Sequence, residues 1–339
     1  MNKKKTIIYS FLFLAIGCFL TACFADYKEK KQDEVVPEYV FTYADNQTED
    51  YPTVQAAIYF AELVEERTKG RIQIDINANA VLGDESSVME QMKFGGIDFA
   101  RLSLTVLAEE EERLNVLQLP YIYRDAEHMW KVLDGSTGDK FLEITETTGL
   151  VGLSWYDAGA RSFYTSKKPI RTAEDIKGLR IRVIDSKLMI DMVNALGAVA
   201  VPLLYDEVYS GMQTGVLDGA ENNFPSYESM KHYEVAGYYT LDEHTRVPEV
   251  QAVSAVTWNK LSESDRKIIR SCAEESALYE RELWKKYNEE SLDKLKANGA
   301  EIIELPQSEI DKFRKAVLPL YEKYCSEYMD LVDEIINTK

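Results

Sequence analysis

From Tyr39 onward the chain alternates two periodicities, and that alternation limits its fold more than any other feature. "EYVFTYA" has the period-two pattern of a strand, Thr53 to Lys69 has the 3.6-residue pattern of a helix that Gly70 stops, and "RIQIDIN" returns to period two. A second unit follows: Asp84 is placed to N-cap "ESSVMEQMKF", Gly95 and Gly96 end that helix, and "IDFARL" reads as the next strand. Strands separated by helices of this length need crossover connections, so the spacing predicts parallel pairing and an α/β fold. "GLVGLSWY", "RSFYT", "LRIRV", "AVAVP" and "QAVSAVTW" extend the strand set, with helices expected over "SKLMIDMVNALG" and "YDEVYSGMQTG". A long charged helix is expected from Ser262 to Asn298, and "LPQSEIDKFRKAVLPLYEKYCSEYMDLVDEII" reads as one closing amphipathic helix. A chain of 339 residues suits two domains, and no Pro/Gly-rich linker separates them, so it is expected to cross between lobes several times and form a hinge.

The first residues have a different character. Met1-Asn2-Lys3-Lys4-Lys5 is followed by an apolar run from Ile7 to Leu20, too short for an ordinary membrane span, and then by "LTAC" ending at Cys23. This is the pattern of a secretory signal, and the quartet resembles the lipobox of bacterial lipoproteins, in which the cysteine is lipidated and becomes the mature N-terminus. An uncleaved anchor or an ordinary signal peptide are the other readings, and each still exports the body. Residues 1–22 are thus read as signal peptide and 23–36, polar and without periodicity, as a tether. Lobe I is expected over 37–157 plus about 248–286, and lobe II over 158–247 plus about 287–335.

The formal charge of −19 argues against nucleic acid or an anionic membrane surface as partner, because both would repel it; membrane contact is expected through the lipid alone. Cys272 and Cys325 remain in the mature body, where one disulfide or two buried thiols are both open. No spacing of Cys and His suggests a metal, and no cofactor motif is present. The signatures HExxH, GxSxG, GxGxxG and GxxxxGK[ST] are missing, which leaves an enzyme with an unmarked site open; the expectation of a binding protein and not an enzyme comes only with the family resemblance below.

Against an acidic background, "GLRIRV" stands out: alternation places Leu179, Ile181 and Val183 on one strand face and Arg180 and Arg182 on the other. Other polar groups fall near strand ends, where ligands collect in open α/β sheets: Arg161 after "WYDAGA", Glu221, Asn222 and Asn223 after the short apolar strand in "GVLDGAENN", and His244 ahead of another strand in "DEHTRVP". Taken singly, each is more often a salt-bridge, turn or capping residue.

Taken together they match a family. "LGDESSVMEQMKFGGIDFA", "LPYIYRDAEHMWKVLDG", "WYDAGARSFYTSKKPIRTAEDIKGLRIRV" and "LGAVAVPLLYDEVYSGMQTGVLDGAENN" resemble, in order, the DctP-type solute-binding proteins of tripartite ATP-independent periplasmic (TRAP) transporters. The resemblance implies a two-lobed α/β periplasmic-binding-protein fold with a hinge cleft and long C-terminal helices. It also implies an extracytoplasmic monomer that closes over a small organic anion and delivers it to the small and large membrane subunits. It assigns the carboxylate-gripping role to Arg182, leaving Arg180 structural; Arg161 also reaches the carboxylate, and Asn222 and Tyr205 fill two further family positions. Ser103, five residues after Asp98, stands where sialic acid binders carry glutamate, which points away from that ligand. The segments "DYPTVQ", "FARLSL", "WYDAGARSFY" and "DEHTRVP" look most like the subgroup that binds the hexuronates glucuronate and galacturonate. Glu85, Arg101, Trp155, Asp157, Glu221, Asn223 and His244 are then the candidates for the hydroxyls. A C4-dicarboxylate, a sialic or aldonic acid, or a receptor that senses such a ligand are the alternatives.

Overall fold

The computed structural model describes residues 36–339; the expected signal peptide, the lipidation site Cys23 and all but the last residue of the tether lie outside them. Two sheets organise the chain. The first contains β1 (Tyr39–Ala44), β2 (Ile72–Asn77), β3 (Phe99–Ser103), β4 (Leu150–Tyr156) and β10 (Glu249–Ser254), in the order β2-β1-β3-β10-β4. The second contains β5 (Arg161–Thr165), β6 (Arg180–Val183), β7 (Val199–Pro202), β8 (Gly219–Asn222), β9 (Tyr238–Thr245) and β11 (Glu301–Glu304), in the order β11-β9-β5-β8-β6-β7. The protein has the mixed α/β two-lobed periplasmic-binding-protein fold.

The expected all-parallel pairing holds for the crossover units but not throughout. β1 pairs β2 and β3 in parallel, and β6 pairs β7 and β8 in parallel. β10 is antiparallel to β3 and β4, and β5 is antiparallel to β8 and β9. The reason is connectivity: β5 and β10 are the strands the chain enters on passing from one sheet to the other, after Tyr156 and after Thr245, and they arrive running against their neighbours. A third passage is made by the long helix Glu263–Ala297, whose 35 residues lead from the first sheet toward β11.

Local chemistry explains the boundaries. Asp84 accepts from the N–H groups of Ser86 and Ser87 and starts the helix Glu85–Lys93, and Gly70 and Gly95 take positive φ (78° and 73°) just past helix ends. Several expectations need correction. The strand expected over "QAVSAVTW" ends at Ser254, whose hydroxyl accepts from Val256 N–H and opens a short helix, Ala255–Lys260. Glu221 and Asn222 lie within β8 rather than after a strand, and His244 lies within β9, a strand the sequence reading did not mark. The single closing helix is three, Gln307–Val317, Pro319–Cys325 and Met329–Asn337: Pro319 lacks the N–H a continuous helix needs at the first break, and a 3-10 turn at Ser326–Tyr328 makes the second. Cys272 and Cys325 are buried free thiols.

Candidate functional site

The second sheet supplies one wall of a cavity. Because β5 runs against β8, Arg161 at the start of β5 lies beside Glu221 and Asn222 at the end of β8. Its guanidinium is fully engaged: Nε and Nη2 donate to the Glu221 carboxylate at 2.6 and 2.8 Å, and Nη1 donates to Asn222 Oδ1 at 3.0 Å. Burial would raise the Glu221 carboxyl, but the charge of Arg161 and hydrogen bonds from His244 and Arg161 hold it at about 2. His244 in turn lies between Asp242 (Nδ1 to Oδ2, 2.9 Å) and Glu221 (Nε2 to Oε2, 3.3 Å). Burial works against its charged form, yet Asp242 and then Glu221 push the imidazole up to about 9, so it is an imidazolium at neutral pH.

One strand over, Arg182 pairs in register with Ala220 of β8 and Val201 of β7. It is 4% exposed, and its Nε and Nη2 both donate to the Leu203 carbonyl, at 2.9 and 2.7 Å. Among the described residues no carboxylate lies within 4.0 Å of it. Burial therefore lowers its pKa, where Arg101 and Arg161 are both raised by adjacent carboxylates. Arg180, on the same strand face, is spent on Asp218, with Nε and Nη2 each donating at 2.9 Å, and is partly exposed.

The first sheet supplies the opposite wall, centred on Arg101. Asp45 follows β1, Glu249 begins β10 opposite Ser103 on β3, and Glu85 is the first residue of its helix, so three separate elements aim carboxylates at one guanidinium. Arg101 bonds Asp45 at 2.8 Å and Glu249 at 2.9 Å, and also Glu85 and Asn46. One cation facing three anions leaves an acidic surplus. Burial, with Glu249 and Asp45 adding to it against the pull of Arg101, pushes Glu85 up to about 7. Asp157, in the passage after β4, accepts from Trp130 Nε1 at 3.1 Å, and its own N–H donates to Glu280 on the long helix at 2.8 Å.

These walls enclose one cavity, onto which Glu85, Arg101, Ser103, Asp157, Arg161, Arg182, Tyr205, Asn222 and Asn223 all open. Glu221 and His244 do not line it; they stand behind Arg161 and fix its charge and orientation. Trp155 packs in the hydrophobic core and is likewise off the cavity. The sequence reading missed Asn46, Gln47, Tyr51 and Thr53, Glu249 on β10, Ser226, and Trp284 on the long helix. Asn46 and Gln47 closely follow β1, so the strand-end rule that found the second sheet's residues also pointed to them, while Tyr51 and Thr53 stand at the start of the next helix. The Tyr205 hydroxyl is buried without a partner in the protein. The arrangement can hold one anionic group at Arg182 and many hydroxyls elsewhere.

Comparison with known proteins agrees with this geometry. Residues 43–327 match the family described as bacterial extracellular solute-binding protein, family 7 (DctP). A solute-binding protein of Chromohalobacter salexigens is 39% identical over 281 residues, 83% of each chain. A TRAP periplasmic solute-binding protein of a Bradyrhizobium species, crystallised in complex with galacturonate, superposes with a TM-score of 0.86 at 38% identity, covering 88% of this chain and 100% of that one. Another from Chromohalobacter salexigens, with bound D-glucuronate, gives a TM-score of 0.85 at 37% identity over 88% of this chain and 100% of that one.

Proposed function

Since this chain belongs to bacterial extracellular solute-binding protein family 7, the DctP family of TRAP solute-binding proteins, we propose that it captures a hexuronate, glucuronate or galacturonate, by a salt bridge to Arg182. One observation carries the reading. Of the three arginines on the cavity wall, Arg101 and Arg161 are neutralised by protein carboxylates and Arg182 is not. A buried guanidinium without a counter-ion favours a ligand carboxylate, whose planar pair of oxygens matches its fork. Among the described residues it is the one such cation on the cavity wall, so the site suits one carboxylate.

The rest of the wall sharpens the choice. The acidic surplus around Arg101 repels a second carboxylate, which disfavours a C4-dicarboxylate, whereas Glu85, Asn222, Asn223, Ser103 and Asp157 can each bond hydroxyls. A dicarboxylate also has no hydroxyls to meet the hydrogen-bonding capacity these groups keep beyond their protein partners. The solved relatives with galacturonate and D-glucuronate support the same ligand class. In this reading the lobes, divided near residues 157 and 247, close over the sugar acid; the protein is tethered outside the cytoplasm through lipid on Cys23 and hands its cargo to the small and large TRAP membrane subunits. Among the described residues no helix is long and apolar enough to cross a membrane.

A thermal-shift screen over D-glucuronate, D-galacturonate, D-galactonate, succinate and a sialic acid tests it. Stabilisation by the uronates above all others is expected. Stabilisation by succinate alone would overturn the hexuronate reading, and turnover of a uronate by the purified protein would overturn the binding role.

A further inference from the structure

Tyr51 lies in the segment "DYPTVQ" but was not singled out as a site residue, and it occupies an unusual position. It precedes the first helix of the chain, whose first residue is Pro52, and is 3% exposed. Its ring is held edge-on by Trp284 (centroids 5.9 Å apart) and Tyr287 (5.7 Å), both on the long helix. Its hydroxyl reaches to the other wall of the cavity and lies 2.9 Å from Ser226 Oγ. Ser226 is equally fixed: Asn223 Oδ1 accepts from its N–H at 2.7 Å, and Asn223 Nδ2 donates to the Ala158 carbonyl at 2.9 Å in the passage between sheets. Among the described residues this is the one hydrogen bond joining a cavity side chain next to the first sheet to a cavity side chain next to the second.

We propose that Tyr51 is a positioning residue for the bound state: its hydroxyl, bonded to Ser226 across the cavity, latches the two lobes together and sets how long a captured ligand stays. Two features favour a latch over simple packing. Both partners are already fixed, Tyr51 by the aromatic rings of the long helix and Ser226 by Asn223, so the bond costs little ordering when it forms. Burial raises the Tyr51 phenol well above its ordinary pKa, so it stays a donor across the working pH range. Other contacts join the two sides away from the cavity, among them Tyr121 with Asp242 and the largely solvent-exposed pair Glu109 with Lys187, which water and salt screen; none of them lines the cavity where the ligand sits. Because association needs the open form and release needs the latch to break, its loss acts on the dissociation rate.

This inference rests on the hexuronate reading for its probe, and the test separates the two. D-Glucuronate and D-galacturonate release is timed by stopped flow for the wild type, Tyr51→Phe, Ser226→Ala and the double variant, and the distance between labels on the two lobes is measured with and without uronate. Each single variant is expected to release ligand about three to ten times faster, the range one neutral hydrogen bond spans. Association should stay within about twofold, and the double variant should match the singles. Wild-type release rates, or additive effects of the two substitutions, would overturn the latch. If neither uronate binds the wild type, the hexuronate reading fails, and the latch stands or falls on the lobe distance alone: a larger mean separation in Tyr51→Phe supports it, an unchanged one refutes it.

Discussion

Replacing Arg182 by Met should have opposite effects on binding and on the empty protein. Two of the five guanidinium N–H groups are spent on the Leu203 carbonyl, which leaves three, enough for a bidentate grip on a carboxylate through Nη1 and Nη2. Two charge-assisted bonds at about 1.5–3 kcal/mol each make about 3–6 kcal/mol. At about 1.4 kcal/mol per decade, Kd rises on the order of 10² to 10⁴ fold. At uronate near a thousand times the wild-type Kd, ligand adds about 4 kcal/mol of stability to the wild type, and only about 0.4 kcal/mol to a variant whose Kd has risen a thousandfold. Without ligand the sign reverses, because the buried charge has no protein carboxylate and burial alone disfavours it. Arg182→Met is therefore expected to melt at or above the wild-type temperature when empty and to lose the uronate-dependent shift. Arg180→Ala, which breaks the partly exposed pair with Asp218 and a bond to the Gly215 carbonyl away from the cavity, should keep that shift. Calorimetry and thermal scans of the three proteins decide it. An Arg182→Met protein that is markedly less stable when empty yet still shifts with uronate, or equal loss of the shift in the Arg180 variant, would refute the reasoning.

Three further outcomes are expected. Glu280 is fully buried with its carboxyl raised well above the ordinary range, first by burial and then by Asp157, so its folded form holds a proton more tightly than the unfolded chain does. Stability from such a group falls as pH climbs from the ordinary carboxylate range, near about 4, toward the folded pKa; Glu280→Gln should match wild type at pH 5, exceed it at pH 8, and flatten the urea midpoint between them. His244, raised to about 9, contributes stability that is fully present below its ordinary pKa of about 6.5 and lost as pH rises through about 9. His244→Gln should be less stable at pH 6 and the gap to wild type should close by pH 10; a constant gap in thermal scans would argue that the imidazole is not charged. At Gly138 a Cβ would lie 1.9 Å from the Leu133 carbonyl oxygen, so the backbone must move, and Gly138→Ala should cost on the order of 3 kcal/mol in urea denaturation without changing uronate affinity in the protein that folds.

Much of this was legible before any coordinate. The caps at Asp84, Gly70 and Gly95 gave helix limits within a residue or two, because capping is local chemistry. β9 was not legible: Asp242 and His244 are buried in it by partners on β5 and β8, and its polar residues broke the apolar alternation that marks a strand. β11 carries only Ile302 and Ile303 as apolar signal and is recruited by pairing with β9. In the site, chemistry distinguished arginine from lysine and family position distinguished Arg182 from Arg180. The partners could not be read. Glu249 lies 148 residues from Arg101 and Glu221 lies 60 from Arg161, and only the sheet order brings them together.

The placement of β10 has a consequence for how this protein comes into being. Glu249–Ser254 lies between β3 and β4, which do not pair with each other, so the first sheet has a gap until the ribosome has finished about three quarters of the chain. Until then β3 and β4 each present an unsatisfied edge, and the large loop between β4 and β10, nearly a hundred residues carrying most of the second sheet, must be closed before the gap is filled. Completion of the first sheet is thereby postponed until most of the second sheet has been synthesised.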